Sequence, residues 1–189
     1  MHLCMLRLIL PKSYIELNDS DYLIFLAGPI KGAPLWQDNA IEIINKIDDS
    51  VYLASPSKEL RQSYLDNALQ GDNNRFSRQA FWERFYLKKA RAKSRRAIMF
   101  WLPAQTEEMP LNPNTNFPRS YARDTRGELG GWGWGILEND RKAPIIVGAE
   151  DNFDGLSVVK ANFYDVMPDM KFYSTLEDTC MAAVRRVQS

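Results

Sequence analysis

The chain has one histidine, His2, and two cysteines, Cys4 and Cys180, among its 189 residues. A lone histidine near one end argues against a Ser-His or Cys-His nucleophilic pair and against a histidine-built metal site. The cysteines lie far apart with no CxxC spacing, which leaves a disulfide framework or a zinc knuckle without support. Net charge is lacking too: Lys plus Arg and Asp plus Glu number 24 each, so no uniform field attracts nucleic acid or anionic lipid. No apolar run approaches membrane-spanning length. The opening MHLCMLRLIL is interrupted by Arg7 and followed by no small-residue cleavage site, and is expected to be a short terminal strand in a soluble cytoplasmic protein. The phosphate-binding signatures GxGxxG and GxxxxGK[ST] are both absent, which removes the dinucleotide fingerprint and the P-loop. Acid–base or nucleophilic chemistry therefore falls to carboxylates, tyrosines or lysines.

What is present is an alternation of short apolar runs and amphipathic stretches. YLIFLA at 22–27 reads as a buried strand stopped by Gly28-Pro29. Trp36, Ala40, Ile43, Ile44 and Ile47 recur at helical spacing. A second strand is expected at Val51–Ala54, a loop at LQGDNNRFS and a helix from Gln79 to about Lys93. A third strand follows at Ala97–Leu102. The segment AQTEEMPLNPNTNFPRSYAR holds three prolines and three asparagines with no period, and a loop of that length is expected to be functional or disordered. A helix from Gly127 to about Leu137, a strand at Pro144–Val147 and a weaker strand near Ser157–Ala161 come next. The last helix is expected to start from a Ser174/Glu177 capping box and to bury Leu176, Cys180, Ala183, Val184 and Val187. The pattern predicts one α/β domain over 1–189, with a mostly parallel sheet and flanking helices.

In such sheets ligands bind beyond the carboxyl ends of the strands, where GPIKGAPLWQ, the long loop and RGELGG are all expected. Glu128 in ARDTRGELGGWGWG is then either an acid favoured in a first helical turn or a reactive group. Gly127 allows close backbone approach, Gly130 and Gly131 remove neighbouring side chains, and Trp132 lies one turn on. The helix dipole is expected to keep Glu128 ionised, as a nucleophile requires. Glu83 in FWERFYLKKA shares a helical stripe with Leu87 and Ala90, and is either an inward-edge acid or a surface acid paired with a base such as Lys88.

Four segments in order, FLAGPIKGAPLWQ, WERFYLKKA, IMFWLPAQT and RSYARDTRGELGGW, resemble the nucleoside 2-deoxyribosyltransferase-like superfamily from Tyr22 to about Val147. The resemblance implies a flavodoxin-like or Rossmann-like fold. It also implies a glutamate that attacks C1′ of a deoxyribose, releases the base and holds the sugar covalently. Glu128 matches that glutamate, Glu83 a substrate-positioning carboxylate, and Asp124 is a candidate for hydrogen bonding to the leaving base. Gly28, Pro29, Ile30, Trp36, Arg126 and Gly127 are the expected substrate contacts, with Trp36 as a stacking wall. Lys31, Arg123 and Arg126 are basic residues near the expected site, and are either contacts for a 5′-phosphate or ordinary bases of exposed loops. No metal or other cofactor is implied. Partners are a nucleoside or nucleotide, a free base and further copies of the chain in a homo-oligomer, with no nucleic acid and no membrane. The leading expectation is sugar transfer between bases. A nucleoside 5′-monophosphate N-glycosidase and a non-catalytic nucleotide-binding module are the alternatives.

Overall fold

The computed structural model describes residues 7–57, 73–92, 94–109, 111 and 116–189. Six strands form one sheet: Leu8–Ile9 (β1), Leu23–Ala27 (β2), Tyr52–Ala54 (β3), Arg96–Leu102 (β4), Ile145–Ala149 (β5) and Phe172–Tyr173 (β6). Every pairing is parallel, in the order β1-β3-β2-β4-β5-β6. Without the short edge strand β1, the chain order across the sheet is second, first, third, fourth, fifth, the flavodoxin-like arrangement. β2 and β4 are buried along their whole length. Strands covered on both faces have this near-continuous apolar character, and the runs LIFLA and RAIMFWL supply it.

Helices cover both faces. Trp36–Ile47 (α1) packs against Leu176–Gln188 (α6), and α6 lies across β2, β4 and β5. Asn73–Arg91 (α2) crosses β2 and β4. Phe25 meets Trp82 of α2 at 6.1 Å between ring centroids, whereas a side chain at Gly28 would run into Trp36 of α1. Positions 25 and 28 differ by an odd number along an extended segment, which places α1 and α2 on opposite faces. Leu156–Val166 (α5) packs beside a helical segment made of Arg123–Glu128 (α3), a π-helical stretch Leu129–Trp134 and Gly135–Leu137 (α4).

Several expectations need correction. The weak strand near Ser157–Ala161 is instead part of α5. Its buried residues Leu156, Val159 and Phe163 recur every three to four positions, and the valine pair suggested a strand only because β-branched residues favour one. The cap of α6 is Thr175, one residue later than expected, with Asp178 N–H donating to its Oγ1 at 3.1 Å. Of the expected stripe, Cys180, Ala183, Val184 and Val187 are buried and Leu176 is half-buried at its start. Helix α2 begins at Asn73, inside the expected loop LQGDNNRFS, whose first residues lie outside the described ones, as do His2, Cys4 and Lys93. Among the described residues no helix is long and apolar enough to cross a membrane.

Candidate active site at the carboxyl edge of the sheet

The switch point of the sheet lies between β2 and β4, whose connections leave in opposite directions, and this is where a crevice forms in open parallel sheets. After β2 the chain turns at Gly28, whose φ is 153°. A Cβ there would sit 2.3 Å from the Trp101 carbonyl oxygen and 2.8 Å from the Trp36 ring, so only glycine lets β2 run this close to β4. The Pro29 carbonyl accepts the Trp36 indole N–H at 2.7 Å, with Gln37 Nε2 further off at 3.5 Å. Trp36 is 1% exposed. It props up the Gly28-Pro29-Ile30 turn from below and is not the stacking wall expected for a base. Trp82 and Trp101 are core residues as well.

Backbone bonds tie this turn to the loop after β4. The Gly32 carbonyl accepts Thr106 N–H at 2.7 Å and Glu107 N–H at 3.2 Å. Ala104 N–H donates to Glu150 Oε2 at 2.8 Å, which fixes the same loop to the end of β5. Tyr121 donates its hydroxyl to the Pro103 carbonyl at 2.8 Å. Burial, then the charge of Glu150, push the Tyr121 phenol upward, so it remains a protonated donor. Residues 110 and 112–115 of this loop lie outside the described ones. Its last residue, Ala122, is buried and left-handed at φ 54° and ψ 24°, a conformation that costs an alanine on the order of 1 kcal/mol.

Helix α3 therefore begins at Arg123, four residues earlier than expected. Asp124 occupies its first turn and Glu128 its last. The expectation that a helix N-terminus keeps Glu128 ionised fails, because Glu128 lies a turn and a half inside. Its carboxyl is instead pushed up to about 8 by desolvation, then by the charges of Glu83 and Asp124. The Glu83 carboxyl is also raised, by burial first, against a hydrogen bond from Gln79, with Asp124 adding to the rise. Three acids from two helices, up to 45 positions apart in the chain, thus share one electrostatic neighbourhood. Asp124 is exposed, whereas Glu83 and Glu128 are half-buried. Such a group titrates as a unit.

The chain beyond Glu128 widens into the π-helical turn. Gly133 takes φ −99° and ψ −107°, and a Cβ on it would press to 2.9 Å from the Phe163 ring. A Cβ at Gly127 or Gly131 would meet nothing within 4 Å. These two glycines lie a helical turn apart and leave the backbone beside Glu128 open to a ligand. Trp132 is packed partly against the core. π-turns of this kind frequently mark functional sites.

Arg126 points elsewhere. Its Nη1 donates to the Tyr121 carbonyl, its Nη2 to the Asp154 carbonyl and carboxylate at 2.8 Å each, and its guanidinium lies 5.6 Å from the centre of the Phe153 ring. It clamps α3 to the loop after β5, which takes it out of the expected role of substrate or phosphate contact. The surface-acid alternative for Glu83 also gives way: its partner is Gln79 Nε2 at 2.8 Å. Sequence reasoning missed Gln79, although its spacing of four from Glu83 on one helix face was legible. Tyr121, Ala122 and Glu150 carried no sequence signal of their roles. Among the described residues no group of three or more His, Cys, Asp or Glu side chains is arranged to hold a metal ion.

No model of a known protein family matches the chain, and no curated protein matches it. The resemblance to the deoxyribosyltransferase-like superfamily therefore rests on the four quoted segments.

Proposed function

We propose that the protein cleaves the N-glycosidic bond of a nucleoside at the Glu83–Asp124–Glu128 cluster and transfers the sugar to a second base. The observation that carries this reading is the electrostatic coupling of three carboxylates from α2 and α3 beside the open backbone of Gly127 and Gly131, with the Glu128 pKa pushed up to about 8. Breaking a C1′–N bond needs a carboxylate to stabilise and then bond to the developing oxocarbenium carbon, and a proton for the departing base. One cluster supplies both. Its proton, resting on Glu128 in the free protein, passes to a ring nitrogen of the base as the substrate binds and leaves Glu128 as the nucleophile, while Asp124 accepts a hydrogen bond from the protonated base. Glu128 Oε bonds to C1′ while the C1′–N pair passes to the base nitrogen, and the base, already protonated, leaves neutral. Glu83 holds the sugar. In the second half an acceptor base attacks C1′, the ester bond returns its electron pair to Glu128, and the acceptor's proton returns to the cluster. Three acids repel a phosphate, and Arg126 is committed to Asp154, so an unphosphorylated nucleoside fits better than a 5′-monophosphate.

The test is a base-exchange assay over pH, with each deoxynucleoside and a second free base. The protonated cluster is the active form of the free protein, so kcat/KM is expected to fall as pH rises through about 8. A rate that climbs through that range would mean that the leaving base takes its proton from another group. Absence of exchange and of base release with every nucleoside would end the enzyme reading, and release without exchange would make the protein a hydrolase.

A further inference from the structure

Gln79 lies four residues before Glu83 on α2 and is 1% exposed. Its Nε2 is committed to Glu83 Oε1 at 2.8 Å, while its Oε1 is buried with no hydrogen-bond partner. A buried amide oxygen without a donor is costly and uncommon in a folded protein. Because its other amide atom touches the Glu83 carboxylate, this oxygen stands at the edge of the acidic cluster. Apart from the proton on Glu128, everything gathered there accepts: the carboxylates of Glu83 and Asp124, and now an amide carbonyl. The one amide donor next to Glu83 is already used. A ligand complementary to this end of the site must therefore bring hydrogen-bond donors, and phosphate brings none at neutral pH beyond its single remaining proton.

We propose that Gln79 is a specificity-determining residue, whose Oε1 accepts a hydrogen bond from a ligand hydroxyl while its Nε2 holds Glu83. The ligand class is a neutral sugar-bearing molecule with free hydroxyls. The inference rests on the nucleoside reading and narrows it to one contact. When the site is filled, the hydroxyl satisfies the orphaned oxygen, and a ligand without that hydroxyl leaves it unpaired. Sites built to pair with a hydroxyl reject the analogue that lacks it more strongly than apolar pockets reject a missing methylene.

The test compares binding of a 2′-deoxynucleoside with that of its 3′-deoxy and 5′-deoxy counterparts by calorimetry, to wild type, Gln79→Met and Gln79→Glu. Wild type is expected to lose about tenfold or more in affinity when one of the two hydroxyls is deleted. Gln79→Met, which has no acceptor, is expected to bind all three ligands within about twofold of one another. Gln79→Glu keeps an acceptor oxygen and, measured in acid where it shares a proton with Glu83 in place of the Nε2 hydrogen bond, is expected to retain the discrimination. Should Gln79→Met fail to fold, the side-chain carbonyl carbon of Gln79 in labelled wild type is followed by NMR. It is expected to shift with the full nucleoside and not with the analogue that lacks the hydroxyl. Equal discrimination in wild type and Gln79→Met, or a carbonyl resonance indifferent to the hydroxyl, overturns the role of Gln79 and leaves the nucleoside reading standing. Failure of wild type to bind any nucleoside removes both.

Discussion

Helix α6 starts from Thr175, whose side chain takes the amide of Asp178 and returns its own hydroxyl proton to the Asp178 carboxylate at 2.9 Å. It then buries an unbroken stripe against β2, β4 and β5. Helix α3 starts from a left-handed alanine with no side-chain cap, carries two acids toward a third, and runs into a π-turn broken by Gly133. Both segments send residues into the same core, Leu129, Ile136 and Leu137 from one and Cys180, Ala183, Val184 and Val187 from the other, so the difference is not one of burial alone. In α6 local propensity, capping and packing agree, as in a segment whose task is to hold the fold. In α3 they conflict, and the conflict is concentrated around Glu128. Strain and like charges gathered at one place in an otherwise consistent fold are what a reactive site looks like from the side of stability.

Three substitutions sharpen that contrast. The largest effect on stability is expected on the regular side. A Cβ at Gly148 in β5 would lie 2.0 Å from Thr179 Oγ1 and 2.8 Å from the Trp101 ring, so Gly148→Ala should cost about 3 kcal/mol in chemical denaturation. A change below about 1 kcal/mol would mean that α6 is less firmly seated than its buried stripe implies.

On the irregular side the expected sign is opposite. Glu128 carries a folded-state pKa of about 8 against an ordinary value of 4.5. Folding therefore favours its protonated form: no penalty exists below pH 4.5, it grows between 4.5 and 8, and it is constant above. Glu128→Gln removes the charge and should stabilise the protein by about 2 kcal/mol at pH 9 while leaving stability at pH 4 unchanged. Thermal melts at the two pH values check it. Equal melting temperatures for wild type and variant at pH 9 would count against a desolvated, charge-crowded glutamate. The smallest effect is at the cap, where Thr175→Ala should destabilise by about 1 kcal/mol at any pH from 6 to 9. A loss that changed strongly across that range would show that α6 is electrostatically coupled to the site, contrary to the separation drawn here.

The sequence was most legible where the fold is most regular. The apolar runs at 22–27 and 97–102 become β2 and β4 because strands buried on both faces need no alternation, and the helices of α1 and α6 follow their stripes except at Ile47, which is exposed at the end of α1 while Gln37 and Ile41 are buried. The two-residue strand β6 left no pattern long enough to recognise. Glu128 and Glu83 were legible as candidates from their placement after a strand and on a helix face, and Asp124 only through the resemblance to the deoxyribosyltransferase-like superfamily. Their mutual approach depends on the left-handed turn at Ala122, which nothing in an alanine announces. That one turn moved the start of α3 to Arg123, placed Glu128 away from the helix N-terminus and reversed its expected electrostatics. Arg126 was misread for a related reason: a basic residue beside an acid cluster suggests a phosphate contact until the partner at Asp154 is seen.

The central claim is that Glu128 bonds covalently to the sugar. A 2-fluoro-2-deoxy-arabinosyl nucleoside slows breakdown of such an intermediate by destabilising oxocarbenium character at C1′, and intact-protein mass spectrometry then reads the adduct directly. Wild type is expected to gain the mass of one fluorinated sugar, mapped to the peptide that contains Glu128, and to lose it faster with an acceptor base than in water. Glu128→Ala is expected to gain nothing and to lose about a thousandfold or more in base exchange. An adduct on Glu128→Ala, or its absence on a wild-type protein that exchanges bases normally, would contradict the account.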